Sequence, residues 1–314
     1  MTPPRVLVVG EALVDIVRYA DGSVAEHAGG SPANVAVALA RLGHRVDLAT
    51  SLGDDRLGAV LRRHFAGAGV ALVGESSPGV RTSSALASLD ESGAASYTFD
   101  LVWDVRPPEL DPPPSLVHTG SLGAVLMPGA AAVADTVAAL RGTATVSYDL
   151  NARPAATGVD AALLSRIEGL VAVSDVVKAS DEDLLMLYPD RPVDAAAEHL
   201  LELGAGAVVV TWGARGAVCH TAAGRVEAPA GPVRVADTIG AGDSFCAALL
   251  HGLLERDLAG AARRAELASL TPEGWRPVLD QANRAAAITV SRPGADPPTL
   301  AELTADAGGA GSDR

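Results

Sequence analysis

The segment "DTIGAGDSF", residues 237–245, combines a glycine-rich turn with a carboxylate just before an apolar run. If a helix starts near Gly242, the amides of residues 239–242 point outward at its positive end, where a polyphosphate or a developing negative charge is favoured. Asp243 then lies in the first helical turn. A carboxylate beside an anion site repels a merely bound anion. It makes sense if it takes a proton from an attacking hydroxyl while Gly240, Ala241 and Gly242 stabilise the transferred group, the division of labour of phosphoryl transfer. A glycine turn capping a helix, with Asp243 as an ordinary first-turn acid, is the competing reading.

Other chemistries are excluded by pattern. The only lysine is Lys178, followed by Ala179, so there is no G-x-x-x-x-G-K-[ST] phosphate loop. There is no H-E-x-x-H, no paired C-x-x-C and no histidine cluster in the sequence to build a metal cage, and no G-x-S-x-G elbow. The net charge of −14 argues against nucleic acid and anionic membranes as partners. Cys219 and Cys246 sit singly in apolar stretches and read as core residues of a reducing compartment. With no leader-like N-terminus and no apolar run of membrane-spanning length, a soluble cytoplasmic protein is expected.

The elements that must position Asp243 follow an α/β rhythm. Strand-like runs fall at 5–10, 44–51, 115–120, 144–150, 175–180 and 206–213, with helix patterns at 31–42, 56–67, 129–140, 159–171, 193–203 and 243–255. This predicts a mostly parallel sheet between helices, a three-layer α/β/α sandwich. Helix 31–42 carries Ser31 as its expected cap, Pro32 in its first turn and Gly43 as terminator. Residues 11–28 alternate about Asp21-Gly22, and 80–103 about Glu91-Ser92-Gly93, two hairpins that interrupt the rhythm. The domain reading is an α/β core of 1–10, 29–78 and 107–305, a β-lid of 11–28 and 79–106, and a frayed tail at 306–314.

Two motifs in this order resemble one family. "DTIGAGDSF" is similar to the C-terminal signature of the ribokinase-like (PfkB) carbohydrate kinases, and "GGSPANVAVALARLG", residues 29–43, to their N-terminal signature. The resemblance covers nearly the whole chain. It implies an ATP-dependent kinase with Asp243 as catalytic base and Gly240, Ala241 and Gly242 as anion hole. It also implies sugar contacts from Asp15, Gly30 and Asn34, of which Asp15 by itself reads as a hairpin-surface charge and Asn34 as a helix-start hydrogen bond. "DLNARP" at 149–154 resembles a fructokinase-type segment, which makes Arg153 a phosphate or substrate contact or, alone, a solvated loop arginine. "VVKASDED" at 176–183 aligns with an Asn-x-x-Glu motif that organises Mg²⁺, but Ser180 and Asp183 replace its Asn and Glu. Asp still offers oxygen to a hydrated ion, and an acid-rich helix start explains it equally. Lys178, Thr211, Gly213, Gly216, Asn283 and Ala286 are the implied nucleotide contacts, and Asp237 and Ser291 fall where some relatives hold K⁺.

"GGSPAN" resembles the fructokinase form of the first motif, and Arg81 and Tyr97, in the hairpin 80–103, are candidates to face the sugar. Fructose is therefore the expected substrate, with 2-keto-3-deoxygluconate, ribose or a nucleoside as alternatives within the class. A non-catalytic sugar or nucleotide sensor is the alternative outside it. For a sugar acid, Arg106 or Arg153 could meet the carboxylate. An apolar lid face is expected to pair with a second lid in a homodimer.

Overall fold

The computed structural model describes residues 4–19, 21–74, 76–89, 95–106 and 110–305, without the side chains of 87–89 and 95–97. The Glu91-Ser92-Gly93 turn and the tail 306–314 lie outside the described residues. The strands are β1 (Arg5–Val9), β2 (Leu13–Arg18), β3 (Val24–Gly29), β4 (Arg45–Ala49), β5 (Ala71–Val73), β6 (Ser83–Leu89), β7 (Ala95–Asp100), β8 (Leu116–Gly120), β9 (Thr145–Asp149), β10 (Val176–Ser180), β11 (Ala207–Thr211), β12 (Ala217–Thr221) and β13 (Gly224–Ala228). The helices are α1 (Ser31–Arg41), α2 (Arg56–Ala68), α3 (Ser121–Val125), α4 (Gly129–Leu140), α5 (Pro154–Thr157), α6 (Ala161–Val171), α7 (Asp181–Leu187), α8 (Val193–Leu203), α9 (Ala241–Glu255), α10 (Arg264–Ala268), α11 (Pro272–Val290) and α12 (Leu300–Thr304).

Among the described residues the strands form two sheets. The larger has the order β13-β12-β11-β10-β9-β8-β1-β4-β5, parallel from β11 to β5, with β12 and β13 added antiparallel. Its inner strands are buried on both faces, the reason their sequences are nearly continuous apolar runs. Alternation divides them. Leu7 and Val9 join the core beneath α4, α6 and α8, while Val6 and Val8 join the core with α1 and α2. Helix α9 is buried from Ser244 through Leu254, so it lacks the one-sided pattern of a surface helix and runs through the interior between α1 and α11. That burial fixes Asp243, which rides on its first turn.

Local chemistry accounts for the helix ends. Asp55 caps α2 by accepting from Gly58 N–H at 2.8 Å, and Asp160 caps α6 by accepting from Leu163 N–H at 2.7 Å. One expected cap is corrected. Gly30 is the N-cap of α1, and Ser31 stands inside the helix with its hydroxyl turned to Asp243. Gly30 holds φ +100°, and a Cβ there would meet the Glu11 carbonyl oxygen at 2.5 Å, so no other residue fits this junction.

The two hairpins of the sequence are joined into the second sheet, ordered β3-β2-β6-β7. Each hairpin is antiparallel, but β2 and β6 pair in parallel, with Asp15 opposite Ala85. Because β2 follows β1 after three residues, this lid sheet stands over the carboxyl ends of the large sheet. No helix among the described residues is long and apolar enough to cross a membrane.

Candidate active site

The carboxyl ends of β1, β8 and β9, the start of α1, the start of α9 and one face of the lid enclose a cleft of about 360 Å³. Asp243 lies on its wall. Its Oδ1 accepts the Ser31 hydroxyl at 2.6 Å, and its Oδ2 accepts Asn34 Nδ2–H at 2.8 Å. The two glycine-containing motifs, far apart in sequence, are thus bonded to each other at one carboxylate. Both oxygens keep lone pairs for a further proton donor.

The turn before α9 is narrower as an anion site than its sequence suggests. Ile239 N–H donates to Asp237 Oδ1 at 3.0 Å, and Ala241 N–H turns to the Thr238 carbonyl at 3.3 Å. Helix geometry leaves the amides of Gly242 and Asp243 without an intrahelical acceptor. Gly240 sits at φ +74°, where a Cβ would meet Ala295 Cβ at 2.7 Å. Gly242 lines the cleft, and a Cβ added there would touch Lys178 Nζ in ordinary contact at 3.6 Å.

Asp15, Gly30 and Asn34 all line the cleft, as does Arg153. Asp15, Ala85 and Phe99 form one cross-strand row on the lid's cleft side. Burial raises the Asp15 carboxyl above its usual range, opposed by the charges of His27 and Arg153. Arg81 is elsewhere. It pairs with Asp100, with one bond of 3.1 Å, and lines a neighbouring groove of about 640 Å³ beside β5. The side chain of Tyr97 lies outside the described residues.

The residues named for nucleotide and metal stand on or beside β10, β11, α7 and α11 and in the turn into β12. Thr211 ends β11 opposite Ser180, and Gly213 and Gly216 frame the turn into β12. Asn283 Nδ2–H donates to the Ala228 carbonyl at 2.8 Å, tying α11 to β13, and Ala286 lies one turn further on. Lys178 is buried and bonds both oxygens of Asp149, at 2.8 and 3.0 Å. Burial disfavours its charge, but Asp149 outweighs that and holds the ammonium above its usual pKa. Asp183 forms a capping box with Ser180 at the start of α7. Its oxygens accept the backbone N–H of Ser180 at 2.8 Å and of Ala152 at 2.9 Å. Asp237 and Ser291 come together where residues 236–237 bond Val290. Asp237 Oδ2 accepts Gly294 N–H at 2.8 Å and Ser291 donates to Ile288.

Several cleft residues were missed in the sequence, chiefly Glu11, Ser121, Asn151 and Phe99. Glu11 is 5% exposed and accepts Gly123 N–H at 2.6 Å. Burial pushes its carboxyl up to about 7, against that backbone bond and the Ser121 hydroxyl. Ser121 and Asn151 hold φ values of +52° and +36°, unusual for non-glycine residues. The available signal was position. Glu11, Ser121 and Asn151 each follow closely on the carboxyl end of a parallel strand, where open α/β sheets bind ligands. The fold also joins two histidines that the sequence keeps apart. His44 and His251, 207 residues apart, meet at 2.7 Å.

The model of the pfkB family of carbohydrate kinases matches residues 3–302, and the chain belongs to that family. It is similar to a fructokinase of Rhizobium leguminosarum bv. trifolii, 32% identical over 288 residues that cover 86% of this chain and 85% of that one. It is also similar to the aminoimidazole riboside kinase of Salmonella typhimurium, 32% identical over 258 residues, covering 79% and 81%. Among solved structures, the fructokinase with bound ATP from Xylella fastidiosa superposes with a TM-score of 0.82 at 30% identity, covering 95% of this chain and 96% of that one. The chain is a sugar kinase with a ribokinase-like fold.

Proposed function

We propose that this kinase phosphorylates fructose at a primary hydroxyl, with Asp243 as general base. The observation that carries the reading is the Asp243 carboxylate, held by Ser31 and Asn34 in a cleft that also contains Asp15 and adjoins the first amides of α9. Asp15 and Asn34 offer the acceptor and donor that orient a polyol. The hydroxyl oxygen forms the new bond to the γ-phosphorus of ATP as its proton passes to Asp243. The bond from that phosphorus to the bridging oxygen breaks, and ADP leaves. Gly240, Ala241 and Gly242 bound the region where charge accumulates, and the Gly242 amide, which lines the cleft without an intrahelical acceptor, is the leading donor.

On the nucleotide side the contacts proposed are Thr211, Gly213, Gly216, Asn283 and Ala286, with Lys178 acting from beneath the turn. Magnesium accompanies ATP and supplies charge neutralisation to the phosphates. Asp183 suits it through bound water, because both its oxygens already accept backbone N–H groups. Asp237 and Ser291 are the proposed surroundings of K⁺. Closure of the lid sheet excludes water that competes for the phosphoryl group.

Fructose is favoured by the "GGSPAN" form of the first motif and by relatives named as fructokinases. One observation favours a second reading. Arg153 lines the cleft and suits the carboxylate of a sugar acid such as 2-keto-3-deoxygluconate. The test is ADP release from Mg·ATP with fructose, 2-keto-3-deoxygluconate, ribose and adenosine, each with and without K⁺. The highest kcat/KM on fructose supports the proposal. A preference for 2-keto-3-deoxygluconate that Arg153→Ala abolishes supports the second reading and overturns the first.

A further inference from the structure

A second cluster of ligating side chains lies away from the cleft. His44 follows the terminating Gly43 after α1, and His251 and Glu255 stand four residues apart near the end of α9, on one helix face. His44 Nε2 and His251 Nδ1 face each other at 2.7 Å, with the rings steeply inclined at 61°. One nitrogen from each ring and a Glu255 oxygen all lie within 4.8 Å of one another, the one place among the described residues where three such ligands converge. His251 is 2% exposed, whereas the Glu255 carboxylate reaches the surface.

We propose that His44, His251 and Glu255 bind a divalent transition-metal ion of the zinc class, which clamps the far ends of α1 and α9. Two imidazoles and a carboxylate are a nitrogen-rich donor set that suits zinc and its neighbours, not magnesium or calcium. Zinc–ligand distances of about 2.0–2.2 Å place tetrahedral donors about 3.3–3.6 Å apart. A small opening of the histidine pair and rotation of the exposed Glu255 side chain reach that arrangement, with water in the fourth position. The clamp has a consequence for the cleft. Ser31 and Asn34 lie at the start of α1 and Asp243 at the start of α9, so the metal joins the opposite ends of the two helices that share the Asp243 hydrogen bonds. His251 is eight residues beyond Asp243, about 12 Å along the helix, too far to enter the reaction.

The test uses the full chain stripped with chelator and titrated with Zn²⁺ against a chromophoric competitor, then with Co²⁺ followed by visible absorption. The expected result is one zinc per chain, a ligand-field band with cobalt, and a raised Tm with either ion. Glu255→Gln, an exposed change that leaves the fold intact, should weaken zinc binding, and His44→Gln should remove the cobalt band. No stoichiometric uptake by the wild-type chain overturns the proposal and leaves the pair as an imidazole hydrogen bond. Equal uptake by a folded His44→Gln variant overturns it as well.

Discussion

Asn34 Nδ2 lies 2.8 Å from Oδ2 of Asp243, across 209 residues of sequence, and the Ser31 hydroxyl holds the other oxygen at 2.6 Å. Helix α9 carries the carboxylate, and side chains of helix α1 hold its two oxygens. Hydrogen bonds to charged groups contribute about 1.5–3 kcal/mol. Ser31→Ala should lower kcat roughly tenfold or more and lower Tm by only a few degrees, as steady-state kinetics and thermal melts would read. Unchanged kcat would mean that Asn34 alone positions the carboxylate.

Gly240 and Gly242 should respond differently to alanine. Gly240→Ala meets Ala295 in a left-handed conformation and should destabilise the fold, by about 1–2 kcal/mol from the backbone term alone. Gly242→Ala meets only Lys178 Nζ at 3.6 Å, so the fold should tolerate it. Gly242 lines the cleft, so the added methyl group would crowd the first amides of α9 beside which the phosphoryl group is proposed to sit. Chemical denaturation should find near-normal stability in Gly242→Ala, and kinetics should find turnover severely reduced.

Glu11 makes stability depend on pH. Its carboxyl is raised from 4.5 to about 7 in the folded chain, so between those values the folded state keeps a proton that the unfolded state has lost. The contribution is full below pH 4.5 and is lost as pH rises through 7, an amount of about 3 kcal/mol. Glu11→Gln keeps an acceptor for Gly123 N–H and cannot ionise. Urea unfolding at pH 5 and pH 8 should show the wild type losing more stability than the variant across that interval.

Lys178 and Asp149 are buried together, with side chains 6% and 1% exposed. Lys178→Met leaves the Asp149 carboxylate without its partner and should cost about 3–5 kcal/mol. Adding Asp149→Leu should return much of that loss, because the stranded charge is then gone. A small loss in the single variant would show that Asp149 protonates at little expense.

Much of the fold was legible because each parallel strand announces itself as a short apolar run, and because Pro32 and Gly43 mark the two ends of α1 with local chemistry. The catalytic candidates Asp243, Asn34 and Asp15 were legible through motifs. Local rules misread Ser31, since a serine before Pro32 looks like a cap and only the fold brings Asp243 to its hydroxyl. The parallel β2–β6 pairing joins two hairpins with no local signal of their association. Glu11 and the His44–His251 pair depend on burial and on contacts between distant segments, and neither leaves a pattern in spacing. Arg81 stands in a plausible lid segment, yet Asp100 on the neighbouring strand engages it outside the cleft.

The most direct test of the account is sugar-dependent ADP release by Asp243→Asn, with ATP binding followed in parallel by calorimetry. The amide keeps an acceptor and nearly the same shape but cannot take the hydroxyl proton. The account predicts turnover lower by roughly a thousandfold or more, with ATP affinity and Tm close to wild type. Near-normal turnover in a folded variant would contradict it, and the carboxylate held by Ser31 and Asn34 would then be a structural tie between α1 and α9.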